Sequence, residues 1–327
     1  MISRSKRTVI CRDWECSEVV ADKTPTSVGL LTTDTPGPKR RQAARRTLWA
    51  GLGFVSPWIV GLILFTLLPM ALSLYYSVTN YSLIGPARFV GLHNYRFLAT
   101  DPEFRQAMVN TLFLVVLIVP LNVLVALFYG MLMDLSMRGQ RLFRTLLYLP
   151  TIVPAVAQGL LWSWMFNTNF GLINQSLQLM GLQGPDWLSN LGWGRMALVI
   201  IWLWGAGQSS ILVFSALRGV RRDLYEQAQV DGGSVWWRIV HVTLPQISPV
   251  IFFNVVMTLI GVMQYFTQAW ILFGNNLPLL IGYIYTYAFQ DLAMGIASAA
   301  SWVLLAVTSV LVVLLFLSRR WWVFYND

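Results

Sequence analysis

The sequence predicts an all-α membrane protein with six transmembrane helices and both termini in the cytoplasm. Three observations predict it: a shortage of charge, the confinement of that shortage to blocks, and the side on which the cations fall. Of 327 residues, 56% are hydrophobic and only 11% are charged, and the mean hydropathy is +0.60. A soluble domain carries roughly 25% charged residues. No Asp, Glu, Lys or Arg occurs over 47–87, 106–133, 145–185, 196–217, 239–290 or 292–318. A hydrocarbon core about 30 Å thick takes roughly 20 apolar residues as helix. Each block is long enough for one span, and the spans are centred near 52–78, 107–132, 143–167, 196–217, 247–272 and 293–318.

The net charge of +9 raises nucleic acid as a partner, but the placement of the cations argues against it. Five basic residues (Arg4, Lys6, Arg7, Arg12, Lys23) lie far out in the tail, and another five lie just before the first span (Lys39, Arg40, Arg41, Arg45, Arg46). Arg138, Arg141 and Arg144 lie between spans two and three, Arg218, Arg221, Arg222 and Arg238 between four and five, and Arg319 and Arg320 after six. The alternate loops hold Arg88, Arg96, Arg105 and Arg195, so the count near the membrane is fourteen against four. The positive-inside rule places the richer side in the cytoplasm, and an even number of spans then puts both termini there.

Residues 1–46 are expected to form a disordered, basic cytoplasmic tail ahead of a transmembrane domain over 47–327. The tail lacks the apolar core of a signal peptide. Its Cys11 and Cys16 are read as incidental: a reducing compartment disfavours a disulfide, and no histidine lies near them for zinc.

Span one ends in Tyr75 and Tyr76, which suit an interfacial belt. The external segment 79–105 is too polar to span and is long enough for a short surface helix. Span two contains Pro120, and span three contains Pro150 and Pro154, each expected to kink its helix and free carbonyls. The external segment 168–194 has Asn169, Asn174, Gly184 and Pro185 as turn residues, with Trp187 and Trp193 as interface anchors.

Charge returns over 218–249 and the pattern becomes helix–turn–helix. RRDLYEQAQVD forms one helix, Gly232 and Gly233 stop it, and Ser234 caps a second, SVWWRIVHVTL. Pro245 and Pro249 are expected to break the chain before span five. The residues alone leave two readings of this pair: helices lying on the lipid with Trp236 and Trp237 in the headgroups, or a docking element for a cytoplasmic partner.

This stretch resembles the cytoplasmic signature loop of binding-protein-dependent ABC importer permeases, whose pattern is Glu-Ala-Ala, two residues, Asp-Gly-Ala, and a run ending Ile-Thr-Leu-Pro. Glu226, Ala228, Asp231, Gly232, Trp236, Thr243, Leu244 and Pro245 match it. Gln227 stands for Ala, Gly233 for Ala and Val242 for Ile, and Gly233 is expected to loosen the turn. FVGLHNY with NTLF, RTLLYLPTIVP and SRRWWVFYND resemble the carbohydrate branch, which handles maltose-like oligosaccharides, lactose, polyols and glycerol phosphate. The resemblance covers roughly 47–327.

It implies a permease subunit forming half of a translocation pathway in a bacterial cytoplasmic (inner) membrane. Its partners would be a second permease, usually a different chain, two ATP-binding subunits and an extracytoplasmic solute-binding protein. The loop 218–249 would be the coupling helix, with Glu226, Ala228, Asp231, Gly232, Gly233, Leu244 and Pro245 at the ATPase. No nucleotide site is expected in this chain, since its only lysines (Lys6, Lys23, Lys39) lie in the tail, away from any P-loop pattern. No catalytic group, metal or cofactor is expected either, because Glu226 and Asp231 have no nucleophile or ligand cluster beside them.

The alternative is an ion-coupled secondary transporter of a small polar solute. Such carriers hold an ionisable residue within a span, and the six blocks have none among Asp, Glu, Lys and Arg. For the solute, neutral sugars call for uncharged polar groups and aromatic faces. Span four offers Gln208, with Ser209 and Ser210 beside it. Span five offers Gln264, Tyr265 and Gln268, where Gln264 and Gln268, at i and i+4, share a helical face. The same side chains could equally bond neighbouring helices. The lack of basic residues in the spans points to a neutral solute.

Overall fold

The computed structural model describes residues 51–135 and 139–324, and the backbone of two strands, β1 (Cys11–Arg12) and β2 (Glu15–Cys16), paired antiparallel. The rest of the tail expected over 1–46 lies outside the described residues. The chain divides into two units, Met1–Leu64 and Phe65–Asp327. Helix α1 (Gly51–Ser77) carries the division within a π-helical turn, Ile63–Leu67.

In the second unit the expected surface helix is α2 (His93–Thr100). Asn94 on α2 is buried and donates to the Ser77 and Thr79 carbonyls at 2.8 and 2.9 Å, which ties α2 to the end of α1. Helix α3 (Pro102–Asp134) is uninterrupted despite Pro120. Its start is set by Asp101, whose carboxylate accepts from the Glu103 and Phe104 amides, the arrangement of an N-cap followed by proline.

Span three is two helices, α4 (Gln140–Ile152) and α5 (Ala155–Met165), bent by 99° at Val153–Pro154. Pro154 cannot donate to the Pro150 carbonyl. Gln158 fills that vacancy, donating through Nε2 to the Pro150 and Val153 carbonyls at 2.9 and 3.0 Å. After α6 (Leu172–Leu179), span four is also two helices, α7 (Leu191–Trp204) and α8 (Gly207–Gly219), at 45°. No proline marks that break. Gly207 lets α8 approach the α4 backbone, where a Cβ would sit 2.3 Å from the Leu147 carbonyl.

Trp187, expected as an interface anchor, is instead buried. Its ring packs at a tilt against Phe166, and it donates to Asn174 Oδ1 at 2.8 Å, because Asn174 is fixed inside the fold by the Thr168 and Pro185 carbonyls. Trp193 remains exposed.

The loop 218–249 contains α9 (Arg222–Val230) and α10 (Val235–Arg238). The break expected at Pro245 and Pro249 is absent. The chain continues through a π-helical turn, Ile239–Thr243, into α11 (Leu244–Met263). Pro245 follows directly on that π-helical turn, whose last bond runs from the Leu244 amide to the Ile239 carbonyl. Pro249 leaves the Pro245 carbonyl without its helical donor, and the Ser248 hydroxyl supplies one at 2.7 Å. The helix gives way later, at Gln264–Phe266, before α12 (Thr267–Phe273). Then follow α13 (Leu280–Tyr285) and α14 (Met294–Ser318).

By length and composition, four helical runs can cross a membrane: Gly51–Ser77, Pro102–Asp134, Val235–Phe273 and Met294–Trp321. The bent pairs α4–α5 and α7–α8 make six if each is one span. The core of the second unit lies where α3, α7, α11 and α13 meet, around Leu114, Ile118, Leu198, Met263 and Tyr283.

Candidate functional site

Three interrupted spans surround one cavity. The breaks are Val153–Pro154, Gly205–Ala206 and Gln264–Phe266. Gln158, Gln208 and Gln268 each stand in the first turn or so beyond a break, and all three line a cavity of about 570 Å³. Trp202, Phe253, Met257 and Tyr265 supply its apolar and aromatic wall. No lining residue is charged.

Two hydrogen-bonded groups shape the polar side. Gln268 Nε2 donates to Gln158 Oε1 at 3.0 Å, joining α12 to α5. Gln158 is already committed to the carbonyls freed at Pro154, so the pair is anchored to the break itself. Across the cavity, buried Asn122 on α3 donates to Ser209 on α8 at 3.2 Å and to Asn254 and Thr258 on α11 at 3.2 and 3.0 Å. Thr258 in turn donates to Asn254 Oδ1 at 3.1 Å. Interhelical bonds of this kind hold polar side chains where water is scarce. Asn254 Nδ2 and the Tyr265 hydroxyl are buried without a partner, and the Tyr265 ring meets Trp202 edge-on at 5.0 Å. A buried unpaired donor costs about 1–3 kcal/mol.

Of the four side chains picked from the sequence, the fold brings Gln208, Tyr265 and Gln268 to the cavity. Gln264 is not among its lining residues; it is exposed at the C-cap of α11. The common face with Gln268 does not form, because the helix stops between them. Gln158, Asn122, Asn254 and Thr258 were missed. Isolated amides within the uncharged blocks were the available signal for the first three.

The loop 218–249 is built differently. Helix α9 ends in a Schellman motif: Gly232 has φ +78°, its N–H donates to the Gln229 carbonyl at 3.1 Å, and the Gly233 N–H donates to the Ala228 carbonyl at 2.9 Å. Gly233 does not loosen this turn. A Cβ there would lie 2.7 Å from the Ala228 carbonyl and 2.8 Å from the Trp237 ring, so glycine lets that ring close over the turn. Ser234 caps α10 as expected, accepting from the Trp237 amide at 3.2 Å. Ala228 is buried, Leu244 and Pro245 are half-buried, and Glu226, Asp231 and Gly232 are exposed. Tyr225 and Thr243 share a hydrogen bond of 2.9 Å, which fixes α9 against the π-helical turn. Arg221 pairs with Asp223, holding that carboxyl below the usual carboxylate range. Among the described residues no group of His, Cys, Asp and Glu could hold a metal ion.

A membrane domain with interrupted spans around an uncharged polar cavity, and a capped helix pair outside the spans, defines the class of a solute-conducting membrane subunit. The family model for the binding-protein-dependent transport system inner membrane component matches residues 122–323, and the chain belongs to that family. It is an ABC transporter permease subunit, not itself an enzyme. It is similar to the probable ABC transporter permease protein YesP of Bacillus subtilis, at 33% identity over 298 residues, covering 88% of this chain and 96% of YesP. The lactose transport system permease protein LacF of Rhizobium radiobacter is 31% identical over 280 residues, covering 82% of this chain and 93% of LacF. A chain of the solved bacterial alginate ABC transporter, in complex with an alginate pentasaccharide-bound periplasmic protein, superposes with a TM-score of 0.75 at 26% identity. That match covers 85% of this chain and 96% of that one.

Proposed function

We propose that this chain is one of two permease subunits of a bacterial ABC importer for a sugar or related neutral solute, in the cytoplasmic (inner) membrane. The observation that carries the solute class is the cavity: amides, hydroxyls and aromatic faces with no formal charge on any lining residue. Neutral sugars are held by such groups, whereas an anion calls for arginine or lysine. Gln208, Tyr265 and Gln268 are the assigned solute contacts. The relatives that handle lactose and alginate support a carbohydrate. The second permease, two ATP-binding subunits and an external solute-binding protein complete the assembly, and ATP is hydrolysed on the separate subunits.

The loop 218–249 is assigned as the coupling element. Exposed Glu226, Asp231 and Gly232 present the tip to the ATPase subunit, while buried Ala228, Gly233 and the Leu244–Pro245 junction keep it stiff. The excess of Lys and Arg around this loop supports its assignment, and that of both termini, to the cytoplasmic side.

The test is purification of the full chain from its host under mild detergent, followed by identification of the co-purifying chains and uptake measurements in the reconstituted complex. An ATP-binding subunit and a second permease are expected to co-purify. Uptake of a neutral oligosaccharide should depend on ATP and not on an ion gradient. Repeated recovery of the chain alone, or uptake driven by an ion gradient, would overturn the reading.

A further inference from the structure

A second cavity lies away from the solute cavity, behind the coupling helices. Its volume is about 360 Å³, and it opens between the loop 218–249 and the ends of α3 and α8. Its walls divide by chemistry. Met131, Leu135, Leu217, Val235 and Ile239 are apolar, and Asp134, Tyr225, Arg238 and Thr243 are polar.

The polar groups are not equally occupied. Asp134 is paired with Arg218 at 3.5 Å. Tyr225 and Thr243 bond each other. Arg144, which lies over Phe214 nearby, donates to the Met133 carbonyl at 2.8 Å. Arg238 alone has no hydrogen-bond or ion-pair partner among the described residues, and its Nε is buried. A guanidinium offers five donors in a planar fork suited to phosphate. Leaving the buried Nε without an acceptor is costly. The cavity therefore holds one uncompensated cation, since the charge of Asp134 is taken up by Arg218.

Its rim coincides with the points where charge returns to the sequence. Asp134 and Arg218 are the first charged residues after the uncharged stretches 106–133 and 196–217, and Arg238 is the last before 239–290. On the span assignment made from these stretches, Arg238 stands where uncharged span gives way to charged loop, the level of the lipid headgroups. Basic pockets between helices on the side with more Lys and Arg are suited to anionic headgroups.

We propose that this cavity is a binding site for one anionic phospholipid, its phosphate on Arg238 and its upper acyl segment along Met131 and Leu217. The bound lipid sits against α10 and the π-helical turn, so it stiffens the coupling element from behind, on the face opposite the exposed tip. This site is independent of which solute the permease carries.

The experiment is native mass spectrometry of the full chain in mild detergent, titrated with phosphatidylglycerol, phosphatidylcholine or inorganic phosphate. One phosphatidylglycerol is expected to be retained in preference to phosphatidylcholine. Arg238→Gln should weaken that retention about fivefold or more, the worth of one cation near an anionic headgroup. Val235→Trp, at an exposed wall position, fills the cavity while keeping the arginine and should weaken it as well. Arg320→Gln, an exposed arginine after the last span, should leave it unchanged. Equal retention by wild type and both cavity variants, each shown to be monodisperse, overturns the site. So does Arg238-dependent binding of inorganic phosphate with no retained lipid, which makes it a free-anion site. An Arg238-dependent cross-link from this cavity to a carboxylate of a protein partner overturns it too.

Discussion

The loop 218–249 and the solute cavity are both polar regions of the second unit, yet they are stabilised in opposite ways. The loop carries Arg218, Arg221, Arg222, Asp223, Glu226, Asp231 and Arg238, and its ordering is local: a Schellman turn, a serine cap and a tyrosine–threonine bond, all within 18 residues or fewer in sequence. The cavity carries no charge, and its central amide is satisfied across the chain, with Asn122 bonded to residues 87, 132 and 136 positions away, while Asn254 Nδ2 and the Tyr265 hydroxyl stay unpaired. Outside the hydrocarbon, water covers charge and short-range backbone geometry suffices. Inside it, every amide must find a partner on another helix or meet a solute.

Substitutions at three places sharpen that contrast. The largest effect is expected at the loop tip. Gly232 has φ +78°, which proline cannot adopt, and its N–H is used by the turn. Gly232→Pro should cost the turn about 3 kcal/mol or more and abolish solute-stimulated ATPase activity in the assembled complex. Normal coupled transport in that variant would remove the loop from the coupling role.

Next comes the cavity, where two amides should fail differently. Asn122→Ala removes the one donor shared by Ser209, Asn254 and Thr258 and should lower the melting temperature, at a cost of about 1–3 kcal/mol. Gln268→Ala should instead raise the solute concentration needed for half-maximal uptake with little change in melting temperature, and Gln264→Ala should change neither. An effect of Gln264→Ala on uptake as large as that of Gln268→Ala would show that the break at Gln264–Phe266 does not decide which amides meet solute.

The smallest effect is at Gly233. Gly233→Ala restores the residue usual at that position of the family pattern, yet its Cβ must displace the Trp237 ring or the Ala228 carbonyl. A modest loss of about 1 kcal/mol is expected, read as weaker capture of the ATP-binding subunit. Tighter capture would mean that the ring moves aside freely.

The same division explains what could be read from the sequence. The six uncharged blocks, the surface helix at His93–Thr100, the Gly232 stop and the Ser234 cap are local patterns, and each appears in the structure. The bend at Pro154 was also legible, since a missing N–H has a fixed address. The continuation through Pro245 and Pro249 was not, because it depends on a π-helical turn and on the Ser248 hydroxyl. The breaks at Gly205–Ala206 and Gln264–Phe266 carry no proline, and without them Gln264 and Gln268 look like neighbours on one face. Trp187 was misplaced for the same reason: its partner Asn174 lies on another element.

The uncharged cavity has an electrical consequence. A formal charge carried through the bilayer field changes the free energy by about 2.3 kcal/mol per 100 mV. The blocks that form the spans of this chain contain no Asp, Glu, Lys or Arg, and neither does the lining of the cavity. A neutral solute held against that lining places no formal charge in that field, so on the reading proposed above the energy for its import comes from the ATP-binding subunits and not from the membrane potential.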